Sequence, residues 1–171
     1  FDVYFKTEIG RIAQALNFGL KDSITHVVEM QNFLISCKTP ADVFAEMRSN
    51  KSFREKYHEI REKYDILLTK AKESFFGNLL FFDYAGELSI SAELSNELSY
   101  LYPDKYVAVA YKKGNASNIS LRGRDVRRIL ERTLKQFSES SGGGHENAVG
   151  ARIRTEDLAR FREVLESEVN K

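Results

Sequence analysis

The chain has 171 residues, is 42% hydrophobic and carries a formal net charge of +1. Such a composition supports a packed core and excludes a disordered chain, while near-neutrality excludes binding to polyanions through bulk charge alone. Cys37 is the one cysteine, so no disulfide forms within the chain, and a reducing, intracellular (cytoplasmic) setting is expected. No apolar run approaches the roughly 20 residues a membrane helix needs, and no signal-peptide pattern is present. The chain begins at Phe1 and not at Met; the expectation is a piece of a longer protein, or a processed one.

The first 75 or so residues read as helical. Ile9, Ile12, Ala13 and Leu16 recur at helical spacing, with Gly19 as a stop. Ile24, Val27, Val28 and Leu34 predict a second helix that ends before Lys38-Thr39-Pro40. Ala41 to Met47 reads as a short third. Phe53, Tyr57, Ile60, Tyr64, Leu67, Ala71 and Phe75 alternate in steps of four and three, which predicts an amphipathic helix of six or seven turns with a heptad-like seam. Near Phe76 the texture changes. Asn78 to Asp83 is a short apolar run, Gly86 marks a turn, and Ala92 to Tyr100 reads as helix. Tyr106 to Tyr111 has the character of a strand buried on both faces. Lys113-Gly114-Asn115 is a turn, and Asn118 to Arg122 is the paired strand. Arg124 to Phe137 is a helix and Ala151 to Arg154 a short strand. A last helix is capped by Thr155 and buries Leu158, Phe161, Val164 and Leu165. The fold class is therefore α/β (α+β): a helical segment over residues 1–75, then a mixed β-sheet flanked by helices over 76–171.

Two stretches carry chemistry. Gly142-Gly143-Gly144 precedes His145-Glu146-Asn147. Glycines let a backbone approach a ligand closely, successive N–H groups can converge on an anion, and His145 can donate to a phosphate oxygen. The competing reading is a flexible loop between a helix and an edge strand. Upstream, Ser120-Leu121-Arg122 ends a strand and leads into a helix, a place that favours an anion. Eight basic and two acidic residues fall between Lys112 and Lys135; a solvated basic helix face explains them equally well. His26, His58 and His145 have no carboxylate or thiolate partners at ligand spacing, and Cys37 has no neighbouring base, so no metal site assembles from sequence.

Ser120-Leu121-Arg122 together with Gly142-Gly143-Gly144-His145-Glu146-Asn147-Ala148-Val149-Gly150 resembles the C-terminal associated domain of the DHH phosphoesterase superfamily, in order and in spacing, over about residues 76–171. More loosely, Thr7-Glu8-Ile9-Gly10-Arg11-Ile12-Ala13-Gln14-Ala15-Leu16-Asn17 resembles the connector of RecJ-type members, most of all the archaeal RecJ-like nucleases that associate with the GINS replication complex. The resemblance implies a single-strand-specific exonuclease in which an upstream domain with an Asp-His-His signature holds manganese or magnesium. That signature is absent from these 171 residues, so no catalytic residue or metal ligand is assigned to this chain. By the same resemblance, Arg122, His145 and the backbone of Gly142, Gly143 and Gly144 contact a phosphate of single-stranded DNA or RNA, with Ser120 and Asn147 as lesser contacts. The helical segment either packs internally or docks a partner such as GINS through Phe53, Tyr57, Tyr64, Phe75 and Phe76. Two other readings remain: a non-catalytic replisome interaction module, and a DHH nucleotide phosphatase or short-oligonucleotide hydrolase.

Overall fold

The structure is a computed structural model that describes residues 2–171, with the side chain of Phe76 outside the described residues. The chain forms two compact units, Phe1–Asp65 and Ile66–Lys171.

The first unit is built on helices α1 (Asp2–Lys6), α2 (Glu8–Gly19), α3 (Ile24–Ser36) and the first four turns of α4 (Lys51–Ala71). Thr7 Oγ1 accepts from Gly10 N at 3.1 Å and Ser23 Oγ from His26 N at 3.3 Å, so each hydroxyl satisfies an orphan donor at the start of its helix. Ile12, Ala15 and Phe18 of α2 and Met30 and Phe33 of α3 are buried, as are Phe53, Tyr57, Ile60 and Tyr64 of α4. Phe18 stands 5.4 Å from the Tyr64 ring and 6.3 Å from that of Tyr57, centroid to centroid. Gly19 ends α2 without a left-handed turn; it is small because Met30 and Phe53 lie where its side chain would be.

The helix expected over Ala41 to Met47 is instead a single 3-10 turn, Pro40–Val43. Asn50 explains why. Its buried amide donates to Val43 O and Ala45 O at 3.2 and 2.8 Å, taking the carbonyls a helix would have used. Asp42 closes the turn by accepting from Lys38 N and Thr39 N, and the Thr39 and Lys38 amides hold its carboxyl below the ordinary range.

In the second unit, six strands are ordered β1-β2-β3-β4-β6-β5. They are β1 (Phe75–Phe76), β2 (Leu79–Ala85), β3 (Tyr106–Lys113), β4 (Ala116–Arg122), β5 (Ser141–His145) and β6 (Ala148–Arg154). Among the described strands only the β2–β3 pair is parallel, which its crossover helix α5 (Ser91–Leu101) permits. The sheet is therefore mixed, with helices on both faces. α6 (Val126–Leu134) and α7 (Leu158–Val169) cover one face, burying Ile119, Leu121, Val149, Ala151 and Ile153 with Ile129, Leu130, Phe161 and Leu165. On the other face α5 packs over β3 and β4. β3 is buried from Val107 to Tyr111, as its apolar run predicts.

Thr155 does not cap α7. Its Oγ1 donates to Gly114 O at 3.0 Å, and a 3-10 turn, Thr155–Asp157, precedes the helix. Tyr84 is a structural hydroxyl: it accepts from Ile90 N at 2.7 Å, just before α5, and burial pushes its pKa up. Tyr84→Phe leaves that buried N–H unpaired and is expected to cost about 1–2 kcal/mol, read as a lower urea midpoint with an unchanged slope.

Candidate functional site

Side chains alternate along strands, and residues opposite one another in a ladder share a face. The register therefore assembles a site from three strands. Arg122 of β4 lies opposite Ala148 of β6, which lies opposite His145 of β5. Ser120, Gly150 and Gly143 form the next row on the same face, and Asn118, Arg152 and Ser141 the one after. Arg122 and His145 are thus two strand spacings apart, about 10 Å between Cα atoms. The face is open: Asn118, Gly150, Arg152 and the whole of β5 are exposed.

The glycine stretch is neither a floppy linker nor a nest in a loop. It is the edge strand β5 of a hairpin whose turn is Glu146-Asn147. Its glycines have different reasons to be there. A Cβ on Gly142 would sit 2.7 Å from Gly150 O and 3.0 Å from Leu134 Cδ1, on the core side. Gly144 has φ +144°, and a Cβ there would sit 2.6 Å from Ala148 O. Both are demanded by the fold. A Cβ on Gly143 would meet nothing within 4 Å, and one on Gly150 only Ile119 O at 3.8 Å. Neither packing nor backbone conformation requires glycine at these two positions. Between them they leave bare backbone beside Ser120, a shallow floor one row along from Arg122, Ala148 and His145.

Arg122 is half-buried and oriented. Its Nε donates to Asn96 Oδ1 of α5 at 2.8 Å, and its Nη1 donates to Leu121 O at 3.0 Å and Val149 O at 3.4 Å. Among the described residues Nη2 has no partner, and no carboxylate forms an ion pair with the guanidinium. Burial lowers its pKa, and the charge of Glu93 opposes that shift. The result is a fixed cation with one free fork, the arrangement that receives a phosphate oxygen. Ser120 Oγ lies 3.2 Å from Ser91 Oγ of α5, which forms the wall of the floor. His145 is exposed and has no partner among the described residues.

Other expectations take a different form. Asn147 is part of the scaffold: its Oδ1 accepts from Asp125 N at 3.1 Å and its carbonyl from Gly123 N at 3.2 Å. With Glu146 O accepting from Arg127 N, the hairpin turn occupies amides at the start of α6, which are then not offered to an anion. Nor do the basic residues between Lys112 and Lys135 form one patch. α6 covers the face opposite Arg122, Arg127 pairs with Glu131, Arg132 with Glu168, and Lys112 with Asp83. Of the aromatic partner candidates, Phe53, Tyr57 and Tyr64 are 4%, 8% and 2% exposed, held in the helical core by its own packing, whereas Phe75 is 37% exposed on β1. Phe76 falls outside the described side chains. Among the described residues no three His, Cys, Asp or Glu come together to hold a metal ion. No described helix is long and apolar enough to cross a membrane.

Asn96 of α5 and, on the sheet, Asn118, Ser141, Ala148, Gly150 and Arg152 lie at this face and are not among the sequence-level candidates. Had β6 been read from Ala148 and not from Ala151, strand alternation would have placed Ala148, Gly150 and Arg152 on one face of that strand; only the register brings that face beside Arg122. Asn96 carries no sequence signal, since only the packing of α5 brings it to Arg122.

Known proteins bear this geometry out at the level of fold. RecJ from Thermus thermophilus in complex with Mg2+ superposes with a TM-score of 0.70 at 13% identity, over 96% of this chain and 26% of that one. An exonuclease RecJ bound to manganese gives 0.67 at 13% identity, over 99% of this chain and 44% of its own. CDC45 from Entamoeba histolytica gives 0.53 at 13% identity, over 95% and 38%. The chain thus spans less than half the length of each of these relatives. No curated protein sequence matches it. The sequence pattern of the DHHA1 domain matches residues 79–171, more than half of the chain and the whole of the sheet from β2 onward. The chain therefore belongs to the DHHA1 domain family, the associated domain of the DHH phosphoesterases.

Proposed function

We propose that this chain is the substrate-binding part of a RecJ-like, metal-dependent exonuclease acting on single-stranded nucleic acid. The catalytic DHH domain and its manganese or magnesium belong to the remainder of the protein. The observation that carries this reading is the pair Gly143 and Gly150: glycines the fold does not need, on an open face, one row along the strands from a half-buried arginine and a histidine whose Nη2 and imidazole have no partner among the described residues. A polynucleotide phosphate resting on that floor receives Arg122 from one side and His145 from the other. The N–H of a neutral imidazole suffices for that bond, and protonation strengthens it. The chain's own residues bind and orient the phosphate; they supply no nucleophile.

The test is binding of a single-stranded hexanucleotide with a 5′-phosphate or a 5′-hydroxyl at one salt concentration. Tighter binding of the phosphorylated form, reduced several-fold in His145→Ala, is the expected result. Equal binding of both forms, unchanged by His145→Ala, contradicts it and favours a non-catalytic interaction module. A preference for a mononucleotide over the hexanucleotide favours the nucleotide phosphatase or short-oligonucleotide hydrolase reading. Association with a GINS-containing replication complex belongs to the same proposal. Co-purification with tagged GINS checks it, and exposed Phe75 is the aromatic candidate to replace.

A further inference from the structure

The row of Asn118, Arg152 and Ser141 lies on the same open face as the Arg122 row, four residues further along each strand. At the rise of a strand this is about 13 Å, a span that two phosphodiester links of an extended nucleic-acid strand bridge. None of these three polar side chains has a partner among the described residues. Arg152 is the informative one. Its neighbour on the same strand and face, Arg154, is neutralised by Glu156 at 2.9 Å and Asp157 at 3.0 Å. Arg152 makes no ion pair with a described residue, although Glu139 and Glu156 line the same cleft. That cleft, about 990 Å³, opens between the Gly114–Ala116 turn, Ser138–Ser141 and the end of β6. Between the two arginine rows, Ser120, Gly150 and Gly143 leave no bulky side chain in the way. An exposed arginine without an ion-paired carboxylate, at the end of a smooth floor that begins at half-buried Arg122, is placed to take a second phosphate of the same strand.

We infer that Arg152, flanked by Asn118 and Ser141, is a second phosphate subsite, and that the ligand of this face is a single strand of at least three nucleotides running along β4, β6 and β5. The inference rests on the phosphate reading of the Arg122 row given above. It adds a length requirement: a dinucleotide reaches the Arg122 row alone, while a longer strand engages both rows.

The test compares 5′-phosphorylated dinucleotide and hexanucleotide oligothymidylates binding to the chain and to its Arg152→Ala, Arg152→Lys and Arg122→Ala variants, across a series of salt concentrations. Arg152 is exposed and unpartnered among the described residues, so the Arg152 variants are expected to keep the unaltered unfolding midpoint. Arg152→Ala should weaken the hexanucleotide about five-fold or more and leave the dinucleotide within about two-fold. The slope of log K against log salt for the hexanucleotide should fall by about 0.7, the share of one phosphate contact on a single strand. Arg152→Lys should restore most of that slope. If Arg152→Ala changes neither ligand while Arg122→Ala weakens both, the second subsite is wrong and the first stands. If Arg152→Ala weakens both ligands equally, no length-dependent track exists. If the unaltered chain binds neither oligonucleotide, the phosphate reading fails and this inference with it.

Discussion

Arg122→Ala is expected to weaken binding of a 5′-phosphorylated single strand by about 10- to 100-fold, the worth of a charge-assisted contact from an oriented guanidinium. The orientation is what makes the effect large. Asn96 and two backbone carbonyls fix Nε and Nη1, so the free Nη2 is aimed before any ligand arrives, and little side-chain entropy is lost on binding. Arg122→Lys should recover only part of the loss, because an ammonium cannot bond Asn96 and a phosphate in one plane. Asn96→Ala should produce a smaller loss, about three- to ten-fold, by releasing the guanidinium from its Nε anchor. Direct titration of labelled oligonucleotide checks all three. An Arg122→Ala variant that binds as tightly as the unaltered chain would remove the guanidinium from the site.

The glycine stretch gives the second large effect, and the sign of the argument differs from one glycine to the next. Gly144→Ala is expected to lower stability by about 2–4 kcal/mol, since it puts a Cβ in a backbone region that essentially only glycine occupies and drives it into Ala148 O. The damage should begin at the β5–β6 hairpin, so amide exchange at Gly150 and Arg152, whose N–H groups face β5, quickens before the rest of the sheet. Gly143→Ala, one residue away, should leave the urea midpoint within about 0.5 kcal/mol of the unaltered chain while reducing oligonucleotide binding, because its methyl projects onto the floor. Equal loss of stability in the two variants would mean that Gly143 is structural after all, and the main support for the binding floor would be gone.

Much of the fold could be read from local pattern. The α4 seam at Phe53, Tyr57, Ile60 and Tyr64, the two-sided burial of β3 and the β3–β4 hairpin all follow from spacing that tertiary contacts reinforce. The errors share one physical origin: long-range partners that override local propensity. Asn50 captures the carbonyls that would have made a helix of Ala41 to Met47. Three consecutive glycines look like a linker, yet β6 supplies a ladder, and the close approach of Leu130 and Leu134 explains why Gly142 carries no side chain. Asn147, a lesser contact implied by the resemblance, ties the hairpin turn to the start of α6 through a long-range partner of the same kind.

The site was partly legible for the same reason. Arg122 and His145 were identified from motif and residue type, but their relation depends on the β4–β6–β5 register, which no local signal encodes. Burial of Phe53, Tyr57 and Tyr64 likewise follows from the packing of α4 against α2 and α3, and it moves any partner surface of the helical unit away from those rings.

The most direct test of the central claim is a map of backbone amide chemical shifts as a 5′-phosphorylated hexanucleotide is added to the isotopically labelled chain. Binding at the proposed face predicts the largest changes at Ser120, Arg122, Gly143, His145, Ala148 and Gly150, with the buried core positions Leu121 and Ala151 moving less. Changes confined to the exposed side of α6, or an unchanged spectrum, would contradict it.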